Sequence, residues 1–386
     1  MSPTVPAVLQ IGARWFPEVH AGLERYYYDL VRHLPAAGFN VHGLVLARSA
    51  PGLAPGLDIK AYAEPGAFIG ERIWTLRLAA RASLRSCRIS LIGCHYPPYG
   101  LPISDMMAKI PTVFHFHGPW SAEARAEGSS LPVRWTKRCI EHILYRRPAA
   151  FVVLSQAFGE ALARTYFVPE KRIFVIPGGV DVARFETDLD RKAARLALGL
   201  DGSRPIAVTV RRLVRRVGVE GLIDGMAEVA KKIPDILLII GGSGPLEREI
   251  RERIEQRGLA KNVTLIGNIS DDILPLLYRA ADVSIVPSIA LEGFGLTTVE
   301  SLACGTPVLV TPVGGLPEVV SGLARDLVLS GKEPGELAEG LVMFFKGRLR
   351  VPDAGACTAY VNEHFSWPMI ARKVADLYSK TLANGQ

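Results

Sequence analysis

The sequence predicts an α/β protein of two doubly wound domains, each built on a parallel sheet, with a cleft between them. Short apolar runs alternate with longer amphipathic segments, the pattern of βα units, and this alternation occurs twice along the chain. A Pro-Gly-Gly turn and a polar helical stretch, residues 177–204, separate the two series. Of the 386 residues, 49% are hydrophobic and 22% are charged, so the chain can bury a sizeable core. We therefore place one domain at residues 1–180 and a second at 181–366.

The apolar runs predict the strands. In the first domain they are expected at 7–11, 40–46, 90–94, 112–117, 151–154 and 172–176. In the second domain they are expected at 206–210, 236–240, 263–266, 283–286 and 307–310. Apolar residues at helical spacing predict a last helix at 367–382, and we expect the segment 367–386 to pack back on the first domain. Ligands of such folds bind beyond the carboxyl ends of the strands, which would face the cleft.

The positive charge of the chain lies in its first half. The formal net charge is +7, with 45 Lys and Arg against 38 Asp and Glu. Residues 1–180 carry 20 basic and 12 acidic residues, a net of +8, whereas residues 181–386 carry 25 and 26, a net of −1. This split predicts an anionic ligand or surface for the first domain and argues against nucleic acid as a partner.

The cysteine pattern and the hydropathy favour the cytoplasm. The five cysteines are scattered and form no Cys-x-x-Cys pair, which argues against a zinc or redox site. No apolar run approaches the roughly 18 residues that span a bilayer, and the N-terminus lacks the basic leader and apolar run of an export signal. We expect a cytoplasmic protein that also associates peripherally with the inner face of the cell membrane.

The most informative segment is residues 282–318, where a strand leads through a loop into a helix that begins near Leu296. The unpaired amides and positive dipole of a helix start form a site for a diphosphate. Glu292 lies before this helix, and Glu300 lies in it, about 6 Å beyond Leu296. Carboxylates beside an anion site suit a nucleotide sugar; the alternative is an ordinary helix start with solvated acids. The expected site residues are Glu292, Gly293, Phe294, Gly295, Leu296, Thr297, Thr298 and Glu300.

These motifs resemble the retaining glycosyltransferases of family 4, which have the GT-B fold. The resemblance rests on the Glu-x7-Glu spacing of Glu292 and Glu300, on the run 301–308 (SLACGTPV) and on 314–318 (GGLPE). Further matching segments, in the expected order, are 16–24, 176–181, 211–214, 241–245 and 365–367. The resemblance implies that Glu292 contacts the donor hexose and Glu300 the ribose hydroxyls. It also implies that the second domain holds the donor and the first holds the acceptor.

A basic run, RRLVRR at 211–216, follows the strand expected at 206–210. The resemblance singles out Arg212, whose guanidinium would hold the diphosphate. Five residues later the family has lysine, whereas this chain has Val217, which leaves Arg215 or Arg216 as replacements. Composition alone favours an exposed basic turn.

Glycine-containing loops are expected to line the donor pocket. In the loop 241–245 (GGSGP), the third glycine of a dinucleotide fingerprint would fall at Glu247, so the loop does not predict a nicotinamide site. In the first domain the family has paired glycines where this chain has Ala21-Gly22, so Gly22 alone carries over. The alternatives are a plain βα turn and a glycine at a helix start. The residues expected near the donor are Gly22, Gly242, Gly244, Gly267 and Asn268, the last two beside the base.

Two histidines, His115 and His117, lie at the end of an expected strand, on the same face of the sheet. A metal site on these two histidines is not favoured, because no carboxylate or cysteine lies at a matching spacing. The resemblance implies that His117 hydrogen-bonds the reacting sugar. The alternative is that His117, His115 and His95 are satisfied core histidines.

We expect no metal and no cofactor. Asp188-Leu189-Asp190 matches the Asp-x-Asp metal motif of the other glycosyltransferase fold, but it lies in the polar hinge beside Arg191 and Lys192, where a solvated charge cluster is the better interpretation. Positive side chains and helix amides would neutralise the diphosphate instead.

Two basic segments, 71–88 and 132–147, have Trp, Leu and Ile interleaved with Arg and Lys. Such segments suit anionic lipid headgroups or a phosphate-bearing acceptor. The alternative is ordinary amphipathic helices that cover a sheet.

Together these features predict a retaining, metal-independent hexosyltransferase with His117, Glu292 and Arg212 as its catalytic residues. The expected donor is UDP-glucose. The expected acceptor is a hydroxyl of a glycan, lipid-linked or phosphate-bearing molecule, in polysaccharide or glycoconjugate biosynthesis. Two alternatives stay open: a sugar-nucleotide-binding protein with little transferase activity, motivated by Val217 and the single Gly22, and a nucleotide-sugar epimerase on the same fold.

Overall fold

A computed structural model of the chain describes residues 5–49, 53–54 and 56–384. The chain divides into two compact units. Unit 1 combines Met1–Gly179 with Trp367–Gln386, and unit 2 is Val180–Ser366. The sequence predicts domains at 1–180 and 181–366, with 367–386 on the first.

Unit 1 is built on a parallel sheet. Its strands are β1 (Ala7–Arg14), β2 (Asn40–Leu46), β3 (Leu53–Ala54), β4 (Leu57–Ala63), β5 (Ile89–Cys94), β6 (Thr112–Phe116), β7 (Ala150–Val153) and β8 (Ile173–Val175). They form one eight-stranded sheet in the order β3-β4-β2-β1-β5-β6-β7-β8, in which β3 alone runs antiparallel to its neighbour. The strands β3 and β4 were not predicted. In β4 the charged Asp58 and Lys60 interrupt the apolar run.

Unit 2 has a five-stranded parallel sheet. Its strands are β9 (Ile206–Val210), β10 (Leu237–Gly241), β11 (Val263–Gly267), β12 (Val283–Val286) and β13 (Val308–Val310). Their order is β11-β10-β9-β12-β13. The strands β2, β9 and β12 begin and end at the predicted residues, whereas β1 runs three residues further, to Arg14.

Helices connect the strands in both units. Those of unit 1 are α1 (Gly22–His33), α2 (Ile69–Ser86), α3 (Pro97–Gly100), α4 (Ser104–Met107), α5 (Trp120–Ala126), α6 (Leu131–Leu144) and α7 (Gln156–Tyr166). Those of unit 2 are α8 (Val182–Phe185), α9 (Arg191–Ala197), α10 (Val219–Lys232), α11 (Glu247–Gln256), α12 (Ile273–Ala280), α13 (Leu296–Ala303), α14 (Leu316–Val320), α15 (Pro334–Phe345) and α16 (Ala354–Phe365). The last helix, α17 (Trp367–Ala383), returns to unit 1. Asp190 caps α9 by accepting a hydrogen bond from the Ala193 amide at 2.8 Å.

Helices cover both faces of the sheet in unit 1. On one face, α1 and α17 contribute Tyr26, Leu30, Trp367, Ile370 and Val374 to the core. On the other face, α2, α6 and α7 contribute Leu76, Ala80, Leu144 and Leu162. Successive residues of β1 alternate between the two layers, as Val8 and Leu9 do. Among the residues that the structure describes, no helix is both long and apolar enough to cross a bilayer.

Trp367 anchors α17 to the rest of unit 1. Its side chain is fully buried, and its ring lies 5.3 Å from that of Tyr26, centroid to centroid. Gly179 packs against the same ring, since a Cβ at that position would lie 2.7 Å from it. The residue that begins α17 therefore fills a space between α1 and the end of the first segment of unit 1.

Replacement of this anchor, Trp367→Ala, is expected to lower the free energy of unfolding of unit 1 by about 3–5 kcal/mol, because it removes a buried aromatic ring and leaves a cavity. All five tryptophans lie in unit 1, so tryptophan fluorescence during urea unfolding follows this unit. Trp135→Ala is the matched control, because that side chain is 72% exposed and its loss should change stability by less than about 0.5 kcal/mol. Equal losses in the two variants would contradict the anchoring role.

Candidate functional site

The candidate site of unit 2 lies where the order of its strands reverses. β9 is flanked by β10 on one side and by β12 on the other. In open parallel sheets, the carboxyl ends of two strands at such a point leave a crevice that takes the ligand. Arg211 directly follows β9, and residues 287–295 form the loop between β12 and α13.

Arg211 lies at the centre of a cluster of polar side chains. Its guanidinium donates to the Glu292 carboxylate, to Ser288 Oγ at 2.9 Å and to Thr297 Oγ1 at 3.1 Å. Ser288 Oγ in turn donates to Glu292 Oε2 at 2.8 Å. The exposed fractions of the Arg211 and Glu292 side chains are 8% and 12%, so this ion pair is largely shielded from water.

The carboxyl group of Glu292 stays ionised in this cluster. Burial by itself would raise its pKa, but the charge and hydrogen bond of Arg211 and the hydroxyl of Ser288 outweigh burial and hold the pKa below its ordinary value. The charge of Arg216 acts in the same direction. Because an ionised carboxylate only accepts hydrogen bonds, a ligand at Glu292 must supply donors such as sugar hydroxyls.

The structure brings Arg211, and not Arg212, to this cluster. The Arg211 amide donates to Gly241 O at 2.9 Å, which continues the ladder between β9 and β10 by one residue. Successive residues of an extended chain point to opposite sides, so the two arginines do not share a side. Arg212 is exposed. Neither Arg211 nor Ser288 was predicted to be a site residue, although a side chain of this cluster is expected directly after the strand that ends at Val210.

Two glycines allow a close approach to the backbone of the cluster. Gly242 has a φ of +121°, and a Cβ there would lie 1.9 Å from Arg211 O. Gly314 has a φ of +57°, and a Cβ there would lie 1.9 Å from Glu292 O. The Gly315 amide donates to the same Glu292 oxygen at 2.9 Å. A side chain at either glycine would displace one partner of the ion pair.

The helix predicted to begin at Leu296 does so, with two free amides instead of three. Gly295 is its N-cap and has a left-handed φ of +78°. The Thr298 amide donates to Gly295 O at 2.8 Å, so the prediction of a free amide at Thr298 is wrong. Within the described chain, the amides of Leu296 and Thr297 have no backbone acceptor and can bind an anion.

Other residues of this segment belong to the interior of unit 2. The Phe294 ring is buried and lies 5.5 Å from the Phe365 ring, centroid to centroid. Gly293 is buried as well, and Glu300 is buried in the second turn of α13. The Phe294 side chain is therefore a core contact, and Glu292 and the helix start are the parts of the segment that join the polar cluster.

The basic run after β9 contains residues with different surroundings. Val217 is buried, and Arg215 is exposed and pairs with carboxylates of α10 and α11. Arg216 donates to Leu291 O at 3.3 Å, next to Glu292. Its Nε is buried and has no hydrogen-bond partner among the described residues. Of the two replacements for the lysine of the family pattern, Arg216 is the one beside the cluster.

The remaining glycines of unit 2 that were predicted to lie near the donor connect loops of this unit. The Gly242 amide donates to Gly267 O at 2.6 Å, which joins the loops after β10 and β11. Gly244 lies against the backbone of Leu213, because a Cβ there would be 2.4 Å from its oxygen. Asn268 is exposed. Contact of these residues with a ligand stays a prediction.

In unit 1 the predicted residues lie near the point where its strand order reverses, between β1 and β5. Gly22 is the exposed first residue of α1. His95 directly follows β5, His115 lies in β6, and His117 directly follows β6. The carboxyl ends of these neighbouring strands thus bring His95 and His117 together.

The side chains of His95, His115 and His117 are uncharged. The rings of His95 and His115 stack with centroids 4.2 Å apart, and His117 Nε2 lies 3.4 Å from His95 Nδ1. Burial lowers the pKa of His95 and His115 well below the ordinary value and lowers the pKa of His117 to about 3. In the described part of the chain, no three His, Cys, Asp or Glu side chains have a geometry that could hold a metal ion.

Comparisons with known proteins identify the family. Residues 20–184 match the family model described as Glycosyltransferase Family 4, and residues 190–354 match the model described as Glycosyl transferases group 1. The D-inositol 3-phosphate glycosyltransferase of Segniliparus rotundus is 33% identical over 317 residues, which are 78% of this chain and 70% of that protein. The chain belongs to the family 4 glycosyltransferases.

Solved structures confirm the predicted GT-B fold for this glycosyltransferase. Sucrose-phosphate synthase from Thermosynechococcus elongatus superposes with a TM-score of 0.83 at 24% identity, over 98% of this chain and 100% of that one. HepE from Anabaena, in complex with UDP and glucose, superposes with a TM-score of 0.78 at 21% identity, over 97% and 100%.

The neutral histidines make the stability of the glycosyltransferase depend on pH. His95 and His115 have folded pKa values far below the unfolded value of about 6.5, so the unfolded chain binds more protons below that pH and stability falls as the pH falls. Between pH 7.5 and 5.5, each is expected to lower the free energy of unfolding by about 1.4 kcal/mol.

This pH dependence is measured by urea unfolding at the two pH values in the wild type and in His115→Asn. The wild type and the variant share all other titrating groups, so the difference between their losses of unfolding free energy isolates His115. The loss between pH 7.5 and 5.5 should be smaller in the variant by about 1.4 kcal/mol. Identical drops would mean that the folded protein protonates His115 as readily as the unfolded chain.

Proposed function

We propose that this glycosyltransferase is a retaining hexosyltransferase that takes glucose from UDP-glucose and needs no metal ion. The observation that carries the proposal is the cluster of Arg211, Glu292 and the first turn of α13. It combines acceptors suited to sugar hydroxyls with guanidinium and amide donors suited to a diphosphate. The structural similarity to HepE, whose structure contains UDP and glucose, supports this donor.

The departing diphosphate would be stabilised by donors of the protein. As the bond between the hexose C1 and the diphosphate oxygen breaks, negative charge builds on the diphosphate. Arg211, Arg216 and the free amides of α13 would meet this charge; the buried Arg216 Nε has no competing partner in the described residues. The acceptor oxygen would bond to C1 on the face from which the diphosphate departs, and it would pass its proton to the diphosphate. The anomeric configuration is therefore retained. Glu292 and His117 would orient the hexose.

We propose an acceptor that carries a phosphate or another anionic group, free or on a glycan or lipid, in polysaccharide or glycoconjugate biosynthesis. Unit 1 has 23 Lys and Arg against 13 Asp and Glu, a net of +10, and unit 2 has 22 against 25, a net of −3. A positive unit attracts anionic ligands. The names of D-inositol 3-phosphate glycosyltransferase and sucrose-phosphate synthase both refer to phosphate-bearing compounds.

An anionic membrane surface is the proposed partner of two helices of unit 1. α2 and α6 contribute to the core on the same face of the sheet, and both carry exposed apolar side chains among basic ones. The largest of these are Trp74, Leu131 and Trp135, and the exposed Phe68 directly precedes α2. Trp at the surface with Arg and Lys around it suits the headgroup region of anionic lipids. Peripheral association of a cytoplasmic enzyme would bring a lipid-linked acceptor to unit 1.

The role of Arg211 is tested against its neighbour Arg212. Arg211→Lys retains a positive charge beside Glu292 but loses the paired donors, and it is expected to lower kcat/KM about 100-fold. Arg212→Ala, at an exposed position, should stay close to the wild type. Thermal unfolding checks that both variants fold. A larger loss in Arg212→Ala than in Arg211→Lys would return the diphosphate contact to Arg212.

The donor is tested with a panel of UDP-, GDP- and ADP-sugars, monitored for release of nucleoside diphosphate with and without EDTA. Release from UDP-glucose in EDTA, with an α-linked product by NMR, is the expected result. Turnover of GDP-mannose alone would overturn the proposal that UDP-glucose is the donor. Loss of turnover in EDTA would overturn the proposal that no metal ion is needed. Binding without turnover would favour the sugar-nucleotide-binding protein, and isomerised donor without acceptor would favour the epimerase.

Membrane association is tested by cosedimentation with vesicles of anionic and of neutral lipid, at low and at high salt. Binding should require anionic lipid and weaken at high salt, because the charge attraction is screened. The double variant Trp74→Ala with Trp135→Ala should bind at least about tenfold less, since two exposed apolar anchors are lost. Leu196→Ala, an exposed apolar side chain of unit 2, is the matched control. Equal binding to neutral and anionic vesicles would contradict the proposal.

A further inference from the structure

A chain of hydrogen bonds crosses the interior of unit 1 from α17 to His117. Gln10 Nε2 donates to the Tyr378 hydroxyl at 2.9 Å, and Gln10 Oε1 lies 2.8 Å from His95 Nε2. His95 Nδ1 lies 3.4 Å from His117 Nε2. The side chains of Gln10, Tyr378 and His95 are almost fully buried, so water does not offer them alternative partners.

The direction of the Gln10 amide determines where each proton of this chain sits. Because Gln10 Oε1 only accepts, His95 Nε2 must carry the proton of its bond. A neutral imidazole has one proton, so His95 Nδ1 is an acceptor, and His117 Nε2 must donate to it. His117 Nδ1 then keeps its lone pair, and it has no hydrogen-bond partner in the described chain.

Two further contacts agree with this direction. The Tyr378 hydroxyl, which accepts from Gln10, has its own proton left to donate to His115 Nε2 at 2.7 Å. His115 then carries its proton on Nδ1, which lies 3.2 Å from the Tyr26 hydroxyl. Gln10, His95, His115 and Tyr378 thus each donate once and accept once without conflict. The site for the amide is also enclosed, since a Cβ at Gly93 would lie 2.2 Å from Gln10 Oε1.

We propose that Gln10 and Tyr378 are positioning residues that hold His117 in the tautomer with its proton on Nε2, so that Nδ1 accepts a hydrogen bond from a sugar hydroxyl. This inference rests on the proposed function for the identity of the ligand. If the amide pointed the other way, every bond would reverse, and His117 Nδ1 would be a donor that favours an acceptor atom of the ligand instead. The helix α17 therefore contributes to the ligand preference of His117 through Tyr378.

The tautomer is measured by NMR of protein labelled with ¹⁵N-histidine, in which the two ring nitrogens distinguish the protonated site. His117→Asn assigns the signals. The wild type should show one His117 tautomer, protonated on Nε2. Gln10→Leu and Tyr378→Phe should each give a mixture, because the first removes the acceptor for His95 Nε2 and the second frees the amide to turn. A His117 proton on Nδ1 in the wild type, or an unchanged tautomer in Gln10→Leu, would overturn the inference.

Tyr27→Phe is the matched control for loss of a buried hydroxyl. Tyr27 is fully buried and donates to the backbone oxygen of Gln10 at 3.1 Å, outside the chain of side chains. It should destabilise unit 1 as Tyr378→Phe does and leave the His117 tautomer unchanged. A shift of the tautomer in Tyr27→Phe would show that any loosening of the core has this effect and would overturn the positioning role.

Kinetics separate this inference from the proposed function. Gln10→Leu is expected to lower kcat/KM for the nucleotide sugar about tenfold, the equivalent of one hydrogen bond, and Tyr27→Phe should not. If the wild type shows the expected tautomer but transfers no hexose from any donor, the proposed function fails. The inference that Gln10 and Tyr378 determine the His117 tautomer then still stands. If hexose is transferred and Gln10→Leu changes neither tautomer nor rate, the positioning role alone fails.

Discussion

The ion pair between Arg211 and Glu292 joins the ends of β9 and β12, the two strands between which the strand order of unit 2 reverses. Charges with so little exposure lose hydration, and either one alone would be strongly unfavourable there. Neighbouring groups offset this cost, because Ser288 and Thr297 occupy further hydrogen-bond positions. The glycines that let the backbone approach both partners serve the same contact. The polar residues, the glycines and the ionised carboxylate are thus parts of one arrangement.

In unit 1, a buried cluster of uncharged polar side chains, Gln10, His95, His115 and Tyr378, lies near the point of strand reversal. His95, His115 and His117 are neutral there. Gln10 pairs with His95, and Tyr26 and Tyr378 pair with His115. Neutral groups avoid the large desolvation cost of buried ions, but every proton must then have one defined place. The two units therefore meet the same requirement, an ordered polar site inside an apolar sheet, by ion pairing in one and by proton ordering in the other.

Much of the fold can be predicted because parallel strands buried on both faces appear as apolar runs. This explains the agreement at β9 and β12, and it explains why β4, with Asp58 and Lys60, was missed. Because such strands are buried on both faces, their sequence does not show which side chains point to which face. β9 has no alternation of apolar and polar residues, so nothing in it tells Arg211 from Arg212. Gln10 is likewise an isolated polar residue of an apolar strand, and its partner Tyr378 is 368 positions away.

The return of α17 to unit 1 has a consequence for the order in which the chain is completed. Chains emerge from the ribosome N-terminus first, and domains usually fold in that order. Here the core of unit 1 requires Trp367, Ile370 and Val374, which are synthesised only after all of unit 2. Unit 2 is continuous and can close its core earlier. The unit that is synthesised first is therefore the last to be finished, and its apolar face beside α1 stays uncovered until α17 has been synthesised.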